Sequence, residues 1–103
     1  AGTPPAHQHM LAEAEPRPTV LTRAFSGRLA RGLTNRFHET IHPHQNRLVP
    51  FPALNDMTRK IRQAAGNAND PEALSLWAGQ AYPLVRPMAT AQLMATLVSE
   101  AGL

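Results

Sequence analysis

The hydrophobic positions of this chain fall into short blocks, and the spacing within each block predicts its secondary structure. The clearest block is Ala53–Ala65, where apolar side chains recur every three or four residues with basic side chains between them. This spacing predicts a helix that stops at Gly66, because glycine commonly follows the last turn of a helix. The residues expected on its buried face are Leu54, Met57, Ile61 and Ala65.

Weaker helical patterns occur at four other places in the chain. Asp70 is expected to cap one of these helices, because its carboxylate can accept the first free amides and Pro71 suits the first turn. The last helix is expected to bury Leu93, Leu97 and Val98. The four predicted ranges are His7–Ala14, Leu33–Ile41, Asp70 to about Trp77, and Ala89–Ala101.

One stretch has the composition of a strand. Thr19–Phe25 begins with β-branched residues after a proline, and the dipeptide Ser26-Gly27 that follows is typical of a tight turn. The prolines of His42–Pro52 predict an extended loop. Together the patterns predict a small, mostly helical α+β domain with one or two strands.

Composition narrows the classes of protein that remain. A chain of 103 residues without cysteine is one domain at most, has no disulfide framework and has no thiolate nucleophile. The sequence contains no run of about 18 apolar residues, so it predicts no membrane helix. The N-terminus lacks the layout of a signal peptide and resembles a cut end. We therefore expect no membrane partner and a cytoplasmic location.

The basic residues concentrate beside the predicted turn. The net charge is +3, and five arginines lie between Glu15 and Glu39 with no acidic residue among them. Arg28 follows Ser26 and Gly27, and an arginine beside a glycine turn can bind a phosphate or carboxylate. The same residues can instead form a structural turn whose arginines are solvated or paired. The sequence leaves both interpretations open.

The histidines give little support for a metal site. His38 and His42 are four residues apart, which places two ligands on one helix face, but Pro43 interrupts that geometry. His44 adds no recognisable pattern, and the serines lack the context of a nucleophile elbow. We predict solvated surface histidines and no metal site, and we assign no catalytic residue to this chain.

Two motifs resemble a known enzyme family. TRAFSGRLARGLTNRF (Thr22–Phe37) is similar to a signature in the C-terminal part of nitronate monooxygenases, which are FMN enzymes also called 2-nitropropane dioxygenase-like proteins. LWAGQAYPLVRPMATAQLMATLVSEA (Leu76–Ala101) resembles the ending of the same family. The two motifs occur in the family's order and spacing, and the resemblance covers nearly the whole chain. It corresponds, however, to only the last third or so of such an enzyme.

The resemblance implies a fold and an activity for the complete protein. It implies a flavin-binding (β/α)₈ TIM barrel with residues 1–87 as a small α+β insert, and residues 88–103 as a helix packed on the missing N-terminal barrel. The reaction would oxidise alkyl nitronates with O₂ to carbonyl compounds and nitrite. The family's catalytic histidine and main FMN-phosphate loops belong to the earlier barrel portion. In this chain Gly79 and Gln80 would contact FMN, and Trp77 and Ala78 would line the substrate pocket.

Two other functions remain as alternatives. A small basic module could bind nucleic acid or another partner through Arg17–Arg36, although few aromatic residues are interleaved and nucleic acid is not the expected partner. A related flavin-dependent enoyl-ACP reductase would share the Ala78-Gly79-Gln80 sequence. On the favoured interpretation the chain alone has no complete active site and does not bind FMN tightly, and its exposed helical faces lead to self-association.

Overall fold

A computed structural model describes residues 3–13 and 16–103 of the chain. The described part is rich in helix and contains one two-stranded sheet, in agreement with the small α+β class predicted from the sequence. Short 3₁₀ turns lie at His42–Arg47, Pro71–Ala73 and Tyr82–Leu84. The helices and strands are α1 (Pro5–Leu11), β1 (Thr19–Thr22), β2 (Ala30–Leu33), α2 (Arg36–Ile41), α3 (Ala53–Asn67) and α4 (Thr90–Glu100).

The two strands form an antiparallel hairpin whose connection contains the Ser26-Gly27 dipeptide. Thr19 pairs with Leu33 and Thr22 pairs with Ala30 at the two ends of the ladder. The first strand is therefore shorter than the predicted Thr19–Phe25. The second strand was not predicted, because a glycine in its interior obscures the alternation of a strand.

Helix α2 begins at Arg36, three residues later than the sequence pattern predicted. The preceding Asn35 is 2% exposed, and its side-chain oxygen accepts a hydrogen bond from the amide of His38 at 2.9 Å. Its Nδ2 donates to the carbonyl of Leu74 at 2.7 Å. A buried asparagine that caps the helix and holds a second segment fixes where the helix starts.

Helix α3 is the predicted central helix, and it buries two of the four residues expected on its apolar face. Leu54, Thr58 and Ala65 are its buried residues, whereas Met57 is 65% exposed and Ile61 is 47% exposed. The Thr58 hydroxyl donates to the carbonyl of Phe25 at 2.6 Å, which ties α3 to the hairpin. The burial expected for Leu54 and Ala65 is confirmed, and that expected for Met57 and Ile61 was wrong, because the helix contacts the hairpin through Thr58 instead. The helix continues through Gly66 to Asn67.

Three predicted boundaries differ elsewhere. His42–Arg47 is a 3₁₀ turn rather than extended chain. Only a 3₁₀ turn follows Asp70, whose side chain caps it by accepting from the amide of Glu72, and the chain then becomes extended. Helix α1 ends at Leu11, and the Ala14 end of the predicted helix lies outside the described residues.

The main core joins the N-terminal helix to the segments that follow α3. It includes Ala6 and Met10 of α1, so that helix is anchored by two buried side chains. The full cluster consists of Ala6, Met10, Leu33, Ala65, Leu74, Leu76 and Tyr82.

Helix α4 is largely exposed within this chain. It ends in a Schellman motif, in which the amides of Gly102 and Leu103 donate to the carbonyls of Ser99 and Val98 at 3.1 Å each. The described residues do not bury the apolar face of α4, since Leu97 and Val98 are each 45% exposed. No helix among the described residues is long and apolar enough to cross a membrane.

Candidate functional site

The segment Trp77–Gln80 begins as an extension of the sheet. The amide of Leu33 donates to the carbonyl of Leu76 at 2.9 Å, and the amide of Ala78 donates to the carbonyl of Arg31 at 3.2 Å. These two hydrogen bonds hold the start of the segment along β2 as a short antiparallel bridge. The predicted helix to Trp77 was wrong here, because pairing with β2 determines the backbone of these residues.

Gly32 makes this close approach possible. A Cβ atom on Gly32 would lie 2.8 Å from the carbonyl oxygen of Leu76 and 3.1 Å from Cε3 of Trp77. Real Cβ atoms do not approach a backbone oxygen so closely, so only glycine fits without a shift in the backbone. Gly32 therefore contributes to the site by its lack of a side chain, a role that the sequence analysis missed.

The indole of Trp77 rests on an aromatic cluster. Its ring meets Phe25 edge to face with centroids 5.5 Å apart, and Phe25 stacks on Phe37 with centroids 4.6 Å apart. Trp77 is nevertheless 37% exposed. The ring is thus supported from one side and available to contact another group.

Gly79 and Gln80 lie at the exposed part of the segment. Apart from its chain neighbours, no described atom lies within 4 Å of the position that a Cβ on Gly79 would occupy. The chain then turns back, with the amide of Tyr82 donating to the carbonyl of Gly79 at 3.1 Å and the Tyr82 hydroxyl donating to the carbonyl of Arg17 at 2.7 Å. The segment combines a fixed backbone with an open, uncharged outer side.

His7 reaches this segment from the other end of the sequence. Its Nε2 lies 3.1 Å from the carbonyl oxygen of Trp77. Burial lowers the pKa of His7, and the hydrogen bond to the Trp77 backbone partly opposes that effect. The sequence analysis did not identify His7 as a site residue, since no motif links positions that are 70 residues apart.

The Ser26-Gly27-Arg28 turn packs against the loop before α3. Gly27 has φ of +90°, and a Cβ there would lie 2.8 Å from the carbonyl carbon of Pro50. The Arg28 guanidinium lies over the Phe51 ring, 4.2 Å from its centroid, and the Ser26 hydroxyl accepts from the Arg28 amide at 3.2 Å. These contacts are structural, and anion binding at the turn stays a prediction.

Other arginines of the basic region also contact the chain itself. Arg17 lies 3.5 Å from a carboxylate oxygen of Glu13 and 3.5 Å from one of Glu72. Arg31 Nη1 donates to the carbonyl of Thr19 at 3.3 Å and to its hydroxyl at 3.1 Å. Part of the positive charge is therefore engaged within the domain.

The prediction of solvated surface histidines was wrong for His38, which is buried, whereas His42 is half-buried. The rings of His38 and His42 have centroids 4.7 Å apart, and His42 Nδ1 lies 3.3 Å from the Thr22 hydroxyl. His38 is 8% exposed, and neither ring nitrogen has a hydrogen-bond partner among the described residues. Burial, followed by repulsion from His42, lowers the pKa of His38, against an opposing effect of Glu39. Residues 3–13 and 16–103 contain no group of three or more ligating side chains that could hold a metal ion.

The fold is similar to that of a known oxidoreductase. Residues 1–100 match the family model described as nitronate monooxygenase, and the chain belongs to the nitronate monooxygenase family. The crystal structure of nitroalkane oxidase from Streptomyces ansochromogenes superposes with a TM-score of 0.89 and 35% identity over 98% of this chain and 28% of that one.

Two curated relatives give the same result at the level of sequence. A probable nitronate monooxygenase of Staphylococcus aureus (strain Newman) is 37% identical over 82 residues, which is 80% of this chain and 23% of the relative. The probable nitronate monooxygenase of strain MRSA252 has the same identity and coverage. The chain thus spans about a quarter of the length of the relatives that it matches.

Proposed function

We propose that this chain is the C-terminal part of an FMN-dependent nitronate monooxygenase that oxidises alkyl nitronates with O₂ to carbonyl compounds and nitrite. The observation that carries the proposal is the family match over residues 1–100. The similar proteins described above, a nitroalkane oxidase and probable nitronate monooxygenases, support the same class of nitro-compound chemistry. The absence of cysteine favours the cytoplasm as the proposed compartment.

The residues of the Trp77–Gln80 segment fit the ring portion of a flavin. Gly79 offers open space where any other residue would place a side chain, and Trp77 presents part of a supported aromatic ring. The segment carries no charged side chain, so it suits a neutral ring system and not a phosphate. The phosphate of FMN would therefore bind outside these four residues, in keeping with the family's barrel loops.

Each residue of the segment has a distinct proposed role. Bound FMN would supply the electron-transfer chemistry between the nitronate and O₂. The absence of a side chain at Gly79 lets the ring approach the backbone. Gln80 can donate or accept a hydrogen bond through its amide. Trp77 and Ala78 border the substrate and keep water from it, with the indole held in place by Phe25.

The remainder of the chain would support this segment. Residues 1–87 form the proposed insert, and the hairpin within it sets the backbone of Trp77–Gln80. The proposed role of residues 88–103 is to pack on the barrel, and the exposed Leu97 and Val98 of α4 support that role because apolar side chains gain free energy when a partner covers them. The catalytic base and the phosphate loops belong to the barrel, outside this chain.

A chimera tests the proposed function directly. The segment of the Staphylococcus aureus relative that aligns with this chain would be replaced by the chain, and flavin content and nitrite release from an alkyl nitronate would be measured. We expect FMN binding and nitronate-dependent nitrite release. A folded chimera that binds FMN but releases no nitrite would contradict the proposed substrate class.

A glycine variant tests the proposed flavin contact. Gly79→Leu should leave the stability of the isolated chain unchanged, because no described atom beyond its neighbours lies near the new side chain. In the chimera the same change should lower FMN content, since the side chain would occupy the space assigned to the ring. Ala68→Leu, at an exposed position after α3, is the matched control. Equal flavin content in the two variants would refute the assignment of Gly79.

The isolated chain provides a separate check. Because the phosphate site is proposed to lie outside it, the chain of 103 residues should not bind FMN tightly. Titration of FMN fluorescence with the purified chain would measure this. Tight stoichiometric binding would show that the chain contains a complete flavin site and would overturn the division of roles.

A further inference from the structure

The contact between α1 and Trp77 has a specific geometry. In an antiparallel pair, the N–H and C=O groups of one residue point to the same side of the strand, and those of its neighbours point to the other side. The carbonyl of Leu76 and the amide of Ala78 both point to β2, where they are hydrogen-bonded. The carbonyl of Trp77 therefore points away from β2, to the free edge of the bridge. At that edge it meets His7.

His7 is held in position by the packing of α1. Ala6 and Met10 of the same helix are 7% and 2% exposed and belong to the core cluster that contains Leu76. The Trp77 carbonyl oxygen can only accept a hydrogen bond, so the Nε2 atom 3.1 Å away must carry the proton. The geometry thus defines the tautomer of His7 as well as its partner.

We propose that His7 is a positioning residue, which donates its Nε2 proton to the Trp77 carbonyl and thereby fixes the backbone orientation of the Trp77–Gln80 segment. The functional consequence rests on the proposed function, because that segment is the one assigned to the flavin and the substrate. Without this donor, the sheet would hold the segment only from the β2 side. The peptide unit that joins Trp77 to Ala78 is planar, so it would then be held only through the hydrogen bond from the Ala78 amide to Arg31. That single hydrogen bond would open more often, and the backbone leading to Gly79 and Gln80 would be less firmly fixed.

Amide hydrogen exchange in the isolated chain tests the positioning role. His7→Leu removes the donor, His7→Gln keeps an N–H near the Nε2 position, and His9→Leu makes the same change at an exposed position of α1. A single neutral hydrogen bond predicts roughly two- to tenfold faster exchange of the Ala78 amide in His7→Leu. We expect restoration in His7→Gln, no effect in His9→Leu, and unchanged exchange in α3. Equal exchange in His7→Leu and His9→Leu would overturn the proposal.

A second measurement requires no variant and so does not depend on folding of His7→Leu. The ¹⁵N chemical shifts of the His7 ring at neutral pH should be those of the Nε2-protonated tautomer. Shifts of the Nδ1-protonated tautomer would contradict the hydrogen bond.

The link to function is tested in the chimera. His7→Leu should lower FMN content there, whereas His7→Gln and His9→Leu should retain it. Unchanged FMN content in His7→Leu would overturn the functional consequence. If the unsubstituted chimera releases no nitrite, the proposed function fails, and the exchange and tautomer results still decide whether His7 positions the segment.

Discussion

Replacement of Gly27 by alanine should destabilise the domain for two separable reasons. Gly27 has φ of +90°, a conformation that L-residues with a side chain rarely adopt. In addition, a Cβ atom would lie 2.8 Å from the carbonyl carbon of Pro50 and 3.1 Å from the Cα of Phe51. Both neighbours are backbone atoms, so they cannot move aside as a flexible side chain would.

The expected magnitude follows from these two effects. A left-handed conformation costs a residue with a Cβ about 1–2 kcal/mol, and insertion of a methyl group into a packed contact costs about 1–3 kcal/mol. The smaller conformational freedom of alanine in the unfolded chain returns about 0.4–1 kcal/mol. Gly27→Ala should therefore lower the free energy of unfolding by roughly 1–5 kcal/mol.

Two other glycines serve as comparisons for Gly27. Gly32 has the close contact without a positive φ, with a Cβ position 2.8 Å from the Leu76 carbonyl oxygen, so Gly32→Ala should lose only the packing part. Gly79 has neither feature, and Gly79→Ala should leave stability unchanged or raise it by less than about 1 kcal/mol. The ordering expected is Gly27, then Gly32, then Gly79.

Urea denaturation followed by far-ultraviolet circular dichroism measures all three variants on one scale. The free energy of unfolding in water and the slope on urea would both be compared with those of the unsubstituted chain. A loss in Gly27→Ala no larger than in Gly79→Ala would refute the reasoning, because it would show that the hairpin connection does not pack on Pro50 and Phe51.

Three further outcomes are expected. Asn35→Ala should lower the free energy of unfolding by about 2 kcal/mol, because it removes a helix cap and a buried donor; urea denaturation against the exposed Asn46→Ala would measure it, and equal losses would argue against the role of Asn35. Burial holds the pKa values of His7 and His38 below their ordinary value, so below about pH 6.5 the unfolded chain binds more protons than the folded chain. The free energy of unfolding should therefore fall as the pH decreases from 7 to 5. A flat profile of the free energy of unfolding against pH would contradict this. Arg86→Ala should leave the urea midpoint unchanged, because the bidentate ion pair between Arg86 and Glu100 is exposed at the surface. A shifted midpoint would show that the ion pair stabilises the core.

Local patterns in the sequence predict the elements of this fold better than their contacts. The central helix is predicted because its apolar period extends over three turns, and two of its predicted core residues are buried. The contact with the hairpin is nevertheless made by Thr58, whose hydroxyl donates to the carbonyl of Phe25. A buried threonine satisfied by a distant carbonyl has the sequence appearance of a surface residue. Met57 and Ile61 have the appearance of core residues and remain exposed in this chain.

The second strand illustrates a different limit. Gly32 interrupts the alternation of the strand, and Leu33 with Phe37 and Ile41 suggests a helical period. The strand forms because β2 pairs with β1 on one side and with the bridge at Trp77 on the other. Long-range pairing thus overrides a local helical preference.

The candidate site depends on the same kind of contact. The position of Trp77–Gln80 is predicted by resemblance to a family, but neither periodicity nor composition predicts what holds it in place. Its backbone is fixed by Gly32, which provides space, and by His7, which provides a donor from the other end of the chain. Neither residue carries a recognisable motif, because one acts through the absence of a side chain and the other acts on a backbone carbonyl. The residues that shape a site through backbone contacts are therefore apparent only in the folded chain.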